Sequence, residues 1–162
     1  RLCSSAASDV YKRQGYNGYF GVEQETFKVY AGYETREAGD EDQEIVSLSG
    51  NLTLGAASVG ANFWVNDYEV AANTGKTETG FYVSGAYPVT EQLSLFAGYN
   101  GVNTDFQAAG VSDVDMSRVN IGATYVLNDR IDMGIDILQD VDTGDSTKDE
   151  ETAVFAAMFY SF

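Results

Sequence analysis

Thr152-Ala-Val-Phe-Ala-Ala-Met-Phe-Tyr-Ser-Phe162 closes the chain on an aromatic residue. Counting back from Phe162 in steps of two gives Tyr160, Met158, Ala156 and Val154, an unbroken apolar row. Successive side chains of a strand point to opposite faces, so the row occupies one face. A soluble protein has little reason to finish on an exposed strand this apolar. A strand in a bilayer does, because the row faces hydrocarbon and the terminal rings lie at the membrane–water interface. One such strand is a weak sign, and its weight depends on companions along the chain.

Alternation recurs from end to end, and helical periodicity is nowhere sustained. Nine strands are predicted, over residues 16–23, 26–36, 44–54, 57–67, 78–89, 92–102, 116–127, 130–139 and 151–162. Most have the ~9–11 residues that a tilted strand needs to cross hydrocarbon. Short connections fall near Glu23–Glu25, Gly55–Ala56, Val89–Gln92 and Asn128–Arg130. Long polar ones fall at Glu37–Gln43, Val70–Thr77, Asn103–Asp115 and Asp140–Glu150. Short turns at one end and long loops at the other match the periplasmic and extracellular ends of an outer-membrane barrel. On that topology the last strand descends, and Phe162 ends on the periplasmic side.

The faces follow from period two. The outward rows include Phe27/Val29/Ala31/Tyr33, Val46/Leu48/Gly50/Leu52/Leu54 and Phe81/Val83/Gly85/Tyr87. They continue with Leu93/Leu95/Ala97/Tyr99, Val119/Ile121/Ala123/Tyr125 and Ile131/Met133/Ile135/Ile137. Phe27, Tyr87, Tyr125, Tyr160 and Phe162 fall near the short-turn end, and Tyr33, Phe81 and Tyr99 near the long-loop end. Two aromatic belts with aliphatic residues between them form the expected lipid-facing girdle. The expected fold class is therefore all-β, an antiparallel up-and-down transmembrane β-barrel.

Composition agrees and excludes much else. The net charge is −16, and acidity of that order disfavours nucleic acid, whose phosphates need Lys and Arg. The chain has no histidine, which removes the commonest general base and transition-metal ligand. No run of ~18 apolar residues exists, so no transmembrane helix is expected; barrel strands need none. Seventeen Gly, 11 Tyr and 9 Phe against a single Pro fit an all-β chain, since disordered acidic chains are poor in aromatics.

Two resemblances refine the picture. The ending Met158-Phe-Tyr-Ser-Phe162 resembles the carboxy-terminal assembly signal of outer-membrane porins: a final Phe, an aromatic two before it, a hydrophobe four before it. With the strand pattern, residues 16–162 resemble the carboxy-terminal part of Gram-negative porins. That family implies a sixteen-stranded barrel, usually trimeric, through which small hydrophilic solutes diffuse, with its constriction loop between early strands. The second resemblance concerns Ser4-Ser-Ala-Ala-Ser-Asp-Val-Tyr-Lys-Arg-Gln14, which looks like an in-frame translated sequencing adaptor. The expected organisation is a non-native tail at 1–14 and the carboxy-terminal part of a barrel at 15–162. That tail holds the sole cysteine, Cys3, and its three cations and one carboxylate carry a net +2, leaving −18 for the remainder. A barrel with both termini periplasmic has an even strand number, so nine strands imply at least one more upstream, and the barrel as given is incomplete.

Inward candidates are the polar residues at mid-strand. Lys28, Glu34, Asn62, Trp64, Arg118, Asn120, Asp132 and Asp136 are the expected pore-lining residues, where lumen charges tune ion selection. The plain alternative is that they solvate a wet interior or pair with one another. Arg118 is expected to pair across its hairpin with Asp132 or Asp136. Trp64 could stack on a sugar, with packing in a narrow section as the alternative. The acidic segment Asp140–Glu151 fails the EF-hand pattern, since Gly144 stands at the fifth position, and no metal or cofactor is expected. Acidic loops could instead bridge divalent ions to lipopolysaccharide. Without His or Cys in the barrel part, catalysis would rest on carboxylates alone, and no enzyme is expected. The expected function is a water-filled, cation-preferring outer-membrane porin. Its expected partners are membrane lipid, lipopolysaccharide, the barrel assembly machinery and two further copies in a homotrimer. The competing readings are a narrower, non-conducting barrel for adhesion, phage reception or anchoring, and a soluble lipocalin-like barrel.

Overall fold

Alternating strands joined by short turns have one simple solution, in which each pairs with the next. In a computed structural model of the chain, which describes residues 13–38, 41–70, 75–145 and 147–160, that is what forms. The strands are β1 (Arg13–Glu23), β2 (Phe27–Ala38), β3 (Glu41–Leu54), β4 (Ala57–Val70) and β5 (Lys76–Pro88). They continue as β6 (Leu93–Phe106), β7 (Val114–Asn128), β8 (Ile131–Asp142) and β9 (Thr152–Tyr160). All nine make one antiparallel up-and-down sheet in chain order, open between β1 and β9.

Every expected strand is present, and most are longer than expected at the long-loop end. β4 reaches Val70 opposite Glu41, and β5 begins at Lys76 opposite Phe106. Glu37–Gln43 is not a long loop: β2 and β3 stay paired up to Ala38 and Glu41. The cause is that both faces turn polar there, so apolar alternation fades while the ladder of backbone hydrogen bonds continues. β1 likewise begins at Arg13, opposite Ala38, two residues inside the stretch that resembles an adaptor.

The short turns are built by turn chemistry. Gly55, in the two-residue turn between β3 and β4, takes a φ of 64°, which a tight hairpin demands and L side chains resist. Between β5 and β6, the Thr90 hydroxyl accepts from the backbone N–H of Leu93 at 2.9 Å. Between β7 and β8, the Asn128 side-chain oxygen accepts from the N–H of Arg130 at 2.9 Å.

Register aligns the two faces across all strands. Residues directly opposite in an antiparallel pair share a face, and the partners run Ala31–Leu48–Phe63–Phe81 and Leu95–Ala123–Ile135–Ala156. The expected outward rows therefore form one continuous apolar face. Among the described residues no hydrophobic side chain is buried, and Ile121 and Met158 are 61% and 70% exposed. A single-layer sheet has no second layer to cover this face. It suits hydrocarbon, in which each strand must pair its backbone with its neighbours.

Ile121 sits between Ala97 and Ile137 on this face, between the levels of Tyr99 and Tyr125. Replacing it with Arg should destabilise the intact protein in lipid vesicles by about 2–4 kcal/mol, the cost of a lipid-facing Arg at mid-depth. The same change at Thr124, on the opposite face, should cost far less. Equilibrium urea unfolding of the two variants checks the face assignment.

Candidate pore-lining face

The opposite face is built of transverse rows. One runs Ser49–Asn62–Tyr82–Asn100–Arg118–Asp140 from β3 to β8, and the next runs Asn51–Gly60–Ser84–Gly98–Asn120–Leu138. Small polar side chains dominate, and the large rings lie over glycines. Trp64 is opposite Gly80, and a Cβ on that glycine would overlap the indole; Phe96 stands in the same relation to Gly122 and Tyr30 to Gly21. Tyr82 lies over Gly98. Each glycine leaves a slot into which a ring settles flat against the sheet. The result is a face kept low by its own large residues.

The charges on this face are mostly paired. Lys28 meets Glu23 at 3.7 Å, Arg36 meets Glu34 at 2.5 Å, and Lys76 meets Glu78 at 2.6 Å. Arg118 donates from Nε to Asp140 at 2.6 Å, which corrects the expectation of Asp132 or Asp136. The reason is register: Arg118 lies opposite Asp140, whereas Asp136 lies opposite Gly122 and Asp132 opposite Val126; just beyond the pair, Val141 is an extra residue that bends β8. Among the described residues Asp132 and Asp136 form no ion pair. Asp136 accepts a 3.4 Å hydrogen bond from the Asn120 amide. Across from Asp136 and Asp132 stand Phe155 and Phe159 of β9.

All eight expected pore-lining residues thus fall on the polar face. Lys28 lies at its short-turn end and Glu34 toward its loop end. Trp64, Asn120, Arg118 and Asp136 converge on one recess, Asn62 occupies the row through Tyr82, and Asp132 stands apart near the β7–β8 turn. Strands as far apart as β4 and β8 line this recess, so the sheet curves toward its polar face.

The expected interface aromatics, Phe27, Tyr33, Phe81, Tyr87, Tyr99 and Tyr125, all lie on the apolar face. Phe81 packs on Tyr99 with ring centroids 5.6 Å apart, and the Tyr125 hydroxyl donates to Gln92 in a turn at 3.2 Å. The latter is the wet-tipped, apolar-bodied placement that interfaces favour. Met158 and Tyr160 lie in β9, and Phe162 lies outside the described residues.

Sequence reasoning missed a network at the loop end. Asn66, only 8% exposed, accepts from Gln43 at 2.9 Å and donates to the Tyr68 hydroxyl at 2.7 Å. Lys76 completes it, 2.6 Å from Glu78 and 4.7 Å above the Tyr68 ring. Extending the inward row Asn62–Trp64 by two and four residues would have found Asn66 and Tyr68. The two rings of β9 on this face had no such signal, since that strand is apolar on both sides.

The β8–β9 loop reaches over the same face. Gly144, at a φ of 68°, packs so closely on Val114 and the Asp115 carbonyl that a Cβ would overlap both. Lys148, Asp149 and Glu151 then share a recess of about 620 Å³ with Asn100, Arg118 and Asp140. Asp145 organises the loop: it accepts from the Thr147 hydroxyl at 2.7 Å and the Thr147 N–H at 2.9 Å, with Lys148 3.7 Å away. These contacts, the Thr147 hydroxyl first, hold its carboxyl below the ordinary carboxylate value of 3.8.

Two outcomes follow from this geometry. A lowered carboxyl stabilises the folded loop at pH values above the ordinary value, and that stabilisation is lost as pH falls through the lowered one. The protection factor of the Thr147 amide, its exchange rate taken relative to the intrinsic rate at each pH, should therefore hold at neutral pH and fall only below about pH 3.8. A flat profile would exclude the Asp145 cap. Gly80→Ala should cost about 1–3 kcal/mol by displacing the indole, and should shift the emission of Trp64, the sole tryptophan of the chain.

Known proteins share this architecture. OmpT of Vibrio cholerae matches with a TM-score of 0.77 at 17% identity, over 92% of this chain and 56% of that one. Its loop L8 deletion mutant matches with a TM-score of 0.80 at 20% identity, over 93% and 55%. The anion-selective porin from Comamonas acidovorans matches with a TM-score of 0.74 at 13% identity, over 92% and 49%. The chain thus spans about half the length of these solved structures. No curated protein matches it in sequence. The family model for Gram-negative porins matches residues 4–146. On that match, which covers most of the chain, the protein belongs to the Gram-negative porin family and is an outer-membrane β-barrel protein.

Proposed function

We propose that the chain forms the wall of a water-filled channel for passive diffusion of ions and small hydrophilic solutes, with a preference for cations. A single observation carries the preference: the polar face neutralises its own cations. Lys28, Arg36, Lys76 and Arg118 each sit beside a carboxylate, whereas Asp132 and Asp136 have no cationic partner among the described residues. An uncompensated carboxylate on a wall attracts cations and repels anions within about a Debye length. No catalytic role is assigned to any residue of this face. By likeness to the family, the assembled form is a homotrimer in lipid and lipopolysaccharide. Met158, Tyr160 and Phe162 would be the residues that the barrel assembly machinery reads.

The intact protein in a planar bilayer should carry an ohmic current, and a salt gradient should give a reversal potential of cation-selective sign. No current would overturn the channel, and the opposite sign would overturn the preference. Converting Asp132 and Asp136 together to Asn should lower the cation-to-anion permeability ratio about twofold, a shift of a few tenths of a kcal/mol in high dielectric. Arg118→Ala should raise the ratio.

A further inference from the structure

The recess on the polar face between β4 and β8 has a volume of about 350 Å³ and an unusual mixture of walls. One wall is aromatic. The Trp64 indole lies over Gly80, where no side chain can lift it, and Tyr82 lies beside it over Gly98. The Tyr82 hydroxyl donates to the Asn120 side-chain oxygen at 3.3 Å, which holds the phenol in place. The other wall is polar. Asn120 donates to Asp136, Asn100 stands opposite both Tyr82 and Arg118, and Arg118 turns its Nε toward Asp140. Only one of the five guanidinium N–H donors serves that bond.

The ligand that fits is set by this mixture. A flat apolar surface accepts the C–H face of a ring. A carboxylate beside a guanidinium and two amides offers acceptors and donors at short spacing. Vicinal hydroxyls, each donor and acceptor at once, can use both together. A simple organic cation would gain the rings and Asp136 but would face Arg118. An anion would gain Arg118 but would face Asp136 and Asp140. A neutral ring carrying several hydroxyls meets no such opposition.

We infer that Trp64, Tyr82, Arg118, Asn120 and Asp136 form a weak saccharide subsite on the channel wall. The inference rests on the polar face being the lumen. The expected affinity is millimolar, because a solute on a diffusion path must bind loosely enough to leave.

Maltotriose added to the intact protein in a planar bilayer tests it. The current should fall along a saturating curve, and Trp64 emission, isolated as the difference from a Trp64→Phe variant, should titrate with the same midpoint. Trp64→Ala should raise the midpoint about tenfold, the order of one lost stacking contact. Asn120→Ala should raise it several-fold, and serves if the first variant does not assemble. A current that falls in simple proportion to sugar concentration, as with polyethylene glycol of equal size, would overturn the site. So would saturation by spermidine in place of the sugar, or a midpoint unmoved by both variants. Should the protein carry no current at all, the channel reading falls, and the emission titration in detergent decides the subsite alone.

Discussion

Hydrocarbon offers a backbone nothing to bond to, and that constraint organises the whole chain. Each N–H and C=O of a spanning strand must find its partner in the next strand, so pairing follows chain order from β1 to β9 without a crossover. Once pairing is complete, every side chain has only two destinations. One face is apolar and the other polar, with no buried hydrophobic core between them among the described residues. Stability then resides in the ladder and in cross-strand pairs such as Phe81 with Tyr99, and large residues must be accommodated within one layer. That is why Trp64, Phe96 and Tyr30 stand opposite glycines.

The same constraint explains what the sequence discloses. Period two survives in the residue pattern wherever one face is apolar, so nine strands and both faces were readable from residues such as Val46-Ser47-Leu48-Ser49. Where both faces are polar the pattern vanishes although the ladder does not, so Glu37–Ala38 and Glu41–Gln43 read as loop but fold as strand. Contacts across strands are a different matter. The choice of Asp140 over Asp136 by Arg118 depends on the register carried up from the β7–β8 turn, which sets Asp136 opposite Gly122, and nothing local to Arg118 encodes it. The flat seat of Trp64 depends on Gly80 sixteen positions away. Strand identity is a local property; partnership is a property of register.

Fold and wall charge are separate properties of such a sheet. The anion-selective porin from Comamonas acidovorans shares this architecture at 13% identity, a likeness of fold alone. A face of small polar residues is a neutral support, and its field is set by the few charged side chains that lack partners. Here Lys28, Arg36, Lys76 and Arg118 are partnered, whereas Asp132 and Asp136 form no ion pair among the described residues. Both of those carboxylates stand opposite a phenyl ring of β9 rather than a cation. Their neighbours therefore leave their charge unquenched, while the hydrogen bond from Asn120 fixes one of them in place.

Geometry and charge meet at Trp64. A ring standing upright from the sheet would project over the polar face and lose its contacts on one side. Gly80 lets it lie down, which keeps the polar face low and turns one π-face toward the recess shared with Arg118 and Asp136. Exchanging Gly80 for a residue with a side chain would therefore disturb the relief of the face and its surface chemistry together, although the glycine itself does not line the recess. The residue that shapes the site is the one with no side chain to offer it.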